Sequence, residues 1–183
     1  MQKPNASAFT AKSNRLEREL FSPVQISPAL VYLTEIQKLN PPAVQLSAIW
    51  DTGAMRTVLT TKVIQKLGIK PISTMRIMGA TGQGTCNVYE LDLILPNNIR
   101  VPNLQIAEVA NLGNHDGLIG MDIIALGDFA VSNVNGKTWF SFIYPPNGRG
   151  IDFIDRIHSA HSLNHLQNSS PGGNSIRKTS RRR

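Results

Sequence analysis

Through much of residues 23–143, apolar and polar positions alternate with a period of two, the pattern of strands that bury one face. "VQLSAIW" (44–50) alternates cleanly and runs into Asp51, and "SPALVYLTEI" (27–36) carries β-type residues beside a proline. "MRIMGA" (75–80) and "TCNVYELDLIL" (85–95) flank the glycine-containing "TGQG" and predict a long hairpin. "IRVPNLQIAEVA" (99–110) predicts a strand pair or one strand bent at Pro102. "DFAVSNV" (128–134) and "KTWFSFIY" (137–144) enclose Asn135-Gly136, a pair that accepts the positive φ values of a type I′ turn, and predict a second hairpin. Two stretches switch to helical spacing. "TTKVIQKLG" (60–68) sets Val63, Ile64 and Leu67 on one face with Gly68 as its C′ residue, and "MDIIALG" (121–127) turns Ile123, Ile124 and Leu126 inward and closes on Gly127. The expected fold is mainly antiparallel β with one or two short helices.

The ends read differently. Residues 1–22 are a polar N-terminal extension with a short helix expected over "SNRLERELF" (13–21). Residues 144–183 are a basic C-terminal tail, in which "IDFIDRIHSAHSLNHL" (151–166) predicts an amphipathic helix with Ile151, Ile154, Ile157 and His158 on one side. "QNSSPGGNSIRKTSRRR" (167–183) is too polar to offset its ordering entropy and is expected to be disordered. The formal charge of +7 follows this division, since residues 23–143 carry eight Lys/Arg against eight Asp/Glu. A neutral central domain lacks the basic face of a nucleic-acid reader, so nucleic acid is expected only as a weak partner of the tail. The single cysteine, Cys86, excludes an internal disulfide and a multi-cysteine metal site. No apolar signal-like region opens the chain and no segment approaches a membrane span of ~20 apolar residues, so a soluble, cytoplasmic protein with no membrane partner is expected.

Asp51-Thr52-Gly53 places a carboxylate, a hydroxyl and a side-chain-free residue between two apolar runs. Alone, this is common turn chemistry. Leu118-Ile119-Gly120 runs straight into the second predicted helix, and alone it is a buried strand end whose glycine admits another backbone. Together with the intervening hairpin they are more specific. "AIWDTGAMRTVLT" (48–60), "KLGIKPI" (66–72), "LPNNIRVPNL" (95–104) and "GLIGMDIIALGDFAVSNVNGKTWFSF" (117–142) resemble the retropepsins, the retroviral-type aspartic proteases, and among these the retroviral-like enzymes of bacteria. The resemblance covers residues 24–143.

It implies a retropepsin-like closed antiparallel β-barrel over residues 23–143 and a homodimer, because one Asp-Thr-Gly and about 120 foldable residues are too few for two lobes. It also implies an aspartic endopeptidase in which a water is activated between two Asp51 carboxylates, one from each subunit, acting on peptide or protein substrates with no cofactor and no metal. Thr52 would bond across the dimer, Gly53 would admit substrate, and Ala54 is the small residue usual in that family. Leu118, Ile119 and Gly120 would cross beside the Asp loop. Asp122 would brace the loops or cap the short helix. Gly79, Ala80, Thr81, Gly82, Gln83 and Gly84 would form the tip of a flap over substrate, or an ordinary exposed hairpin.

The chain departs from the pattern after Ala54, where retroviral enzymes carry acidic residues and Met55 and Arg56 stand here. Arg56 is therefore a solvated surface charge or a contact for acidic substrate residues. Trp50 is expected to turn away from the Asp51 side, into core or interface. The histidines of "HSAHSLNH" (158–165) lack an acidic or cysteine partner, which disfavours a metal site. Two other classes stay open: a catalytically silent dimer of the same fold acting as a protein-binding module, and a structural or nucleic-acid-associated protein working through its basic tail.

Overall fold

A computed structural model describes residues 6–79, 82–148, 150–155 and 157–158. It divides into two compact units, Met1–Arg149 and Gly150–Arg183. The described residues of the first form ten strands: β1 (Ser7–Lys12), β2 (Leu20–Pro28), β3 (Val44–Trp50), β4 (Val58–Thr60), β5 (Ser73–Gly79), β6 (Gly82–Leu95), β7 (Ile99–Val109), β8 (Gly117–Ile119), β9 (Asp128–Val134) and β10 (Lys137–Tyr144). Among the described residues three short α-helices interrupt them: α1 (Glu35–Leu39), α2 (Thr61–Leu67) and α3 (Met121–Ile124). The fold is mainly β.

Pairing runs β2-β3-β8-β4-β7-β6-β5, and β2 also pairs with β6, so six strands form a closed circuit and β5 hangs from β6 outside it. The circuit is mixed where an antiparallel barrel was expected, because β3 pairs with β8, and β4 with β7, in parallel. β1, β10 and β9 form a second, three-stranded sheet. Alternation explains the packing. β3 buries Leu46, Ala48 and Trp50, and β10 buries Thr138, Phe140 and Phe142. Phe9, Trp50, Phe129, Phe140 and Phe142 join the two sheets, with Trp50 stacked on Phe129 at 5.6 Å and its indole N–H donating to Ser22 Oγ at 3.0 Å. Burying each of these large rings contributes roughly 2–3 kcal/mol.

The predicted hairpin at Asn135-Gly136 is present, with φ of 52° and 73° at its two turn residues. α2 ends on Gly68 in the left-handed region, as its sequence requires. α3 stops at Ile124, with Ala125 rather than Gly127 as its C-cap, and leaves Leu126 exposed. β7 is one continuous strand through Pro102. Three expectations are overturned. Residues 14–19 are not helical: the Arg15 carbonyl accepts the Thr138 N–H and the Glu17 N–H donates to Thr138 Oγ1, pinning this stretch to β10. The segment expected as a polar extension supplies β1, whose Phe9 enters the core, and the start of β2. Of "SPALVYLTEI", only Ser27 and Pro28 are strand; Thr34 and Gln37 form a reciprocal capping box that starts α1.

In the second unit residues 153–155 and 157–158 are helical, and Ile151, Phe153, Ile154 and Ile157 are exposed. The tail expected to be disordered, residues 167–183, lies outside the described residues, as do His161 and His165 of the histidine cluster. Among the described residues no helix is long and apolar enough to cross a membrane.

Candidate active site

β8 lies between β3 and β4, pairing Ile49 and Trp50 with Leu118 and Ile119 on one side and Val58 with Leu118 on the other. The loop joining β3 to β4, residues 51–57, therefore arches over the end of β8. This arrangement brings Asp51 and Gly120 together from opposite halves of the chain. The Asp51 N–H donates to the Ile119 carbonyl at 3.0 Å, and the Met121 N–H donates to the Ala54 carbonyl at 2.8 Å. Gly120 has a steric reason: a Cβ there would lie 2.6–2.9 Å from the backbone of Ala54 and Arg56.

Asp51 is half-buried, and its Oδ1 accepts the Gly53 N–H at 2.8 Å, which turns the loop tightly on itself. A Cβ on Gly53 would crowd that same oxygen at 3.1 Å. No basic side chain among the described residues forms an ion pair with Asp51. Thr52 is exposed, and its side chain has no hydrogen-bond partner among the described residues. Ala54 is half-buried, while Met55 and Arg56 are exposed.

Asp122 braces. Its carboxylate accepts the Thr57 N–H at 2.9 Å and the Thr57 hydroxyl at 2.7 Å, while Gly120 is the N-cap residue of α3. Thr57 is itself buried, and its Oγ1 accepts the Gly120 N–H at 3.1 Å. One hydroxyl thus couples Asp122, Gly120 and the descending arm of the Asp51 loop. Thr57 did not stand out in the sequence; its signal is a polar residue at the head of an apolar strand, too common to single out.

The β5–β6 hairpin holds Met78 opposite Gln83 and Gly79 opposite Gly82, with Gly82, Gln83 and Gly84 exposed. Gly82 has φ of 124°, which side-chain-bearing residues rarely adopt. Ala80 and Thr81 lie outside the described residues. At the foot of this hairpin, Glu108 Oε2 accepts from Asn87 Nδ2 at 2.8 Å and from the Tyr89 hydroxyl at 2.9 Å. Burial pushes the Glu108 carboxyl up, but bonds from Thr61, Asn87 and Tyr89 outweigh it and hold the group below the usual carboxylate range. Burial, then the bond to Glu108, pushes the Tyr89 phenol up, and burial likewise raises the Cys86 thiol. A separate cavity, lined by Tyr32, Leu33, Leu67, Ile69 and Pro71 among others, includes no residue of the Asp51 loop.

Among the described residues, no group of three or more His, Cys, Asp or Glu side chains is placed to hold a metal ion. A half-buried carboxylate with no ion-pair partner among the described residues, on a braced loop, can act as a general base toward water, or share a proton with a second acid.

The family model described as aspartyl protease matches residues 39–123, a span that contains the Asp51 loop, β8 and the start of α3. The chain thus resembles the aspartyl proteases over that stretch. No curated protein matches it. Among solved structures it is similar to a retropepsin-like aspartic protease from Rickettsia conorii, at 18% identity over 78% of this chain and 98% of that one, with a TM-score of 0.49. It is also similar to the Simian Foamy Virus (mac) protease, at 19% identity over 57% of this chain and 92% of that one, with a TM-score of 0.35.

Proposed function

From an aspartyl protease match that spans the Asp51 loop and β8, we propose that this chain is an aspartic endopeptidase that works as a homodimer. The observation that carries the reading is the Asp51 carboxylate, fixed by backbone bonds on the Asp51 N–H and on Oδ1, accessible, and without a cationic partner among the described residues. One carboxylate per chain is half of an acid pair. A two-fold axis beside the loop would set two Asp51 side chains together, and would place each exposed Thr52 hydroxyl against the opposite loop.

The chemistry follows from crowding. Carboxylates about 3 Å apart cannot both ionise cheaply, so the pair holds one proton between them and titrates as a unit, as aspartic protease dyads do generally. The ionised member takes a proton from water, whose oxygen attacks the peptide carbonyl carbon. The protonated member donates to the carbonyl oxygen, giving a tetrahedral diol, and a proton then moves to the amide nitrogen as the C–N bond breaks. Gly82 and Gly84 suit the exposed hairpin to closing over a bound peptide. Arg56, exposed within the Asp51 loop, is available to acidic substrate residues.

Assaying purified wild-type protein beside Asp51→Asn on an unfolded protein substrate, across roughly pH 3–8, tests the reading. Cleavage by wild type that Asp51→Asn abolishes, and that a transition-state mimic with a tetrahedral hydroxyl blocks, is the expected result. Equal activity of the two proteins, or none in either, rejects it.

A further inference from the structure

The cavity that includes no residue of the Asp51 loop has a chemistry of its own. It encloses about 430 Å³, and its lining comes from the segment before and within α1, the end of α2, and the foot of the β5–β6 hairpin. Small-molecule sites have this size. Leu33 and Leu67 line it and are buried, which gives it an apolar base. Pro28, Pro42 and Pro71 line it too. A proline has its φ fixed by the ring and carries no N–H, so these stretches hold their shape and offer no backbone donor.

One carboxylate enters this lining. Glu90 of β6 is half-buried, and its Oε2 accepts the Tyr32 hydroxyl at 3.1 Å. Its Oε1 has no hydrogen-bond partner among the described residues, and the group makes no ion pair there. Lys70 also lines the cavity, but it is exposed and pairs with no acid among the described residues, so the Glu90 charge stays uncompensated. Gln37, the remaining polar side chain of the lining apart from Tyr32, has its oxygen engaged by the Thr34 N–H and hydroxyl. A carboxylate partly withdrawn from water among apolar groups favours a cation within hydrogen-bond reach.

We propose that this cavity is a binding site for a small apolar amine. The ammonium donates to Glu90 Oε1 beside the Tyr32 ring, whose face attracts a cation, and the apolar body rests on Leu33 and Leu67. Lys70 repels a second positive charge, which selects a monoamine over a polyamine. The site does not depend on the endopeptidase reading. The same chemistry is presented by a free amine and by the amino-terminal residue of a peptide.

Calorimetric titration of the full chain at pH 7 tests it with three ligands of similar shape: 2-phenylethylamine, 2-phenylethanol and 3-phenylpropionate. The amine is expected to bind about tenfold tighter than either of the others, the effect of one charge-assisted hydrogen bond. Glu90→Gln is expected to shrink that advantage to about twofold or less, with far-UV circular dichroism unchanged. Tyr32→Phe keeps the ring and frees Glu90 of its one donor, and should retain the preference for the amine. Asp51→Asn should leave amine binding as in wild type whether or not the wild type cleaves peptides, so this result and the protease assay are read separately. Phe-Ala-Ala amide, titrated beside its N-acetylated form, distinguishes the sources: tighter binding than 2-phenylethylamine assigns the site to peptide amino termini, and weaker binding assigns it to free amines. No binding of the amine, equal binding of the three ligands, or a preference for the acid overturns the inference. So does amine binding that survives Glu90→Gln or is lost in Tyr32→Phe or Asp51→Asn.

Discussion

The Asp122 carboxylate accepts both the N–H and the hydroxyl of Thr57, and that hydroxyl accepts the Gly120 N–H. Thr57→Val keeps the side chain's shape but removes the hydroxyl, leaving the Gly120 N–H without a partner and Asp122 one donor short. A loss of about 1–3 kcal/mol of stability is expected in urea unfolding, with kcat reduced more than KM is raised, because the loop carrying Asp51 loses its brace. Thr57→Ser should restore most of both. At this scale the sequence shows Asp51 and Gly120 because their chemistry is local: a carboxylate in a glycine turn, and an apolar pair ending in glycine. It does not show Thr57, whose partners are 63 and 65 residues away in the chain and become neighbours only when β8 is seated between β3 and β4.

Among the elements, β6 and β7 share the polar cluster around Glu108 at the foot of the hairpin. Its carboxyl is held below the ordinary value of 4.5, so its ionised form is favoured by folding. It therefore contributes stability above the unfolded pKa and loses that contribution as pH falls through the lower, folded value. Glu108→Gln should weaken the protein near neutrality yet flatten the decline in stability between about pH 5 and pH 3, read by chemical unfolding at each pH. Elements with a self-contained signal were legible, such as the β9–β10 hairpin with its Asn135-Gly136 turn and α2 with its Gly68 cap. Elements whose identity depends on distant partners were not. β1 and the stretch leading into β2 look like a charged extension with helical spacing, but hydrogen bonds to Thr138 and burial of Phe9 between the sheets decide their conformation. β-type residues likewise suggested strand over residues 27–36, where the Thr34–Gln37 capping box instead starts α1.

For the whole molecule, the proposed site, divided between two copies, would make activity depend on pairing. Mixing wild type with an equal amount of Asp51→Asn, after unfolding and refolding together, should about halve the activity of the same quantity of wild type refolded alone, because random pairing spends half of its subunits on inactive partners. A protein that acts as a monomer would lose nothing. The mainly β class was legible from alternation alone, yet the circuit that joins β2 to both β3 and β6 was not, since period-two patterning says which face is buried and nothing of which strand lies alongside. The parallel pairs escaped for the same reason: β8 is three residues long and pairs with strands made some sixty residues earlier.

That late-made strand has a bearing on synthesis. A ribosome that has released only the first hundred residues has exposed the Asp51 segment but none of the rod on which it is slung, so the acid dangles on an unanchored arch. On the proposed reading, the acid would gain its fixed position only once residues 117–122 emerge and supply the backbone bonds that hold the arch.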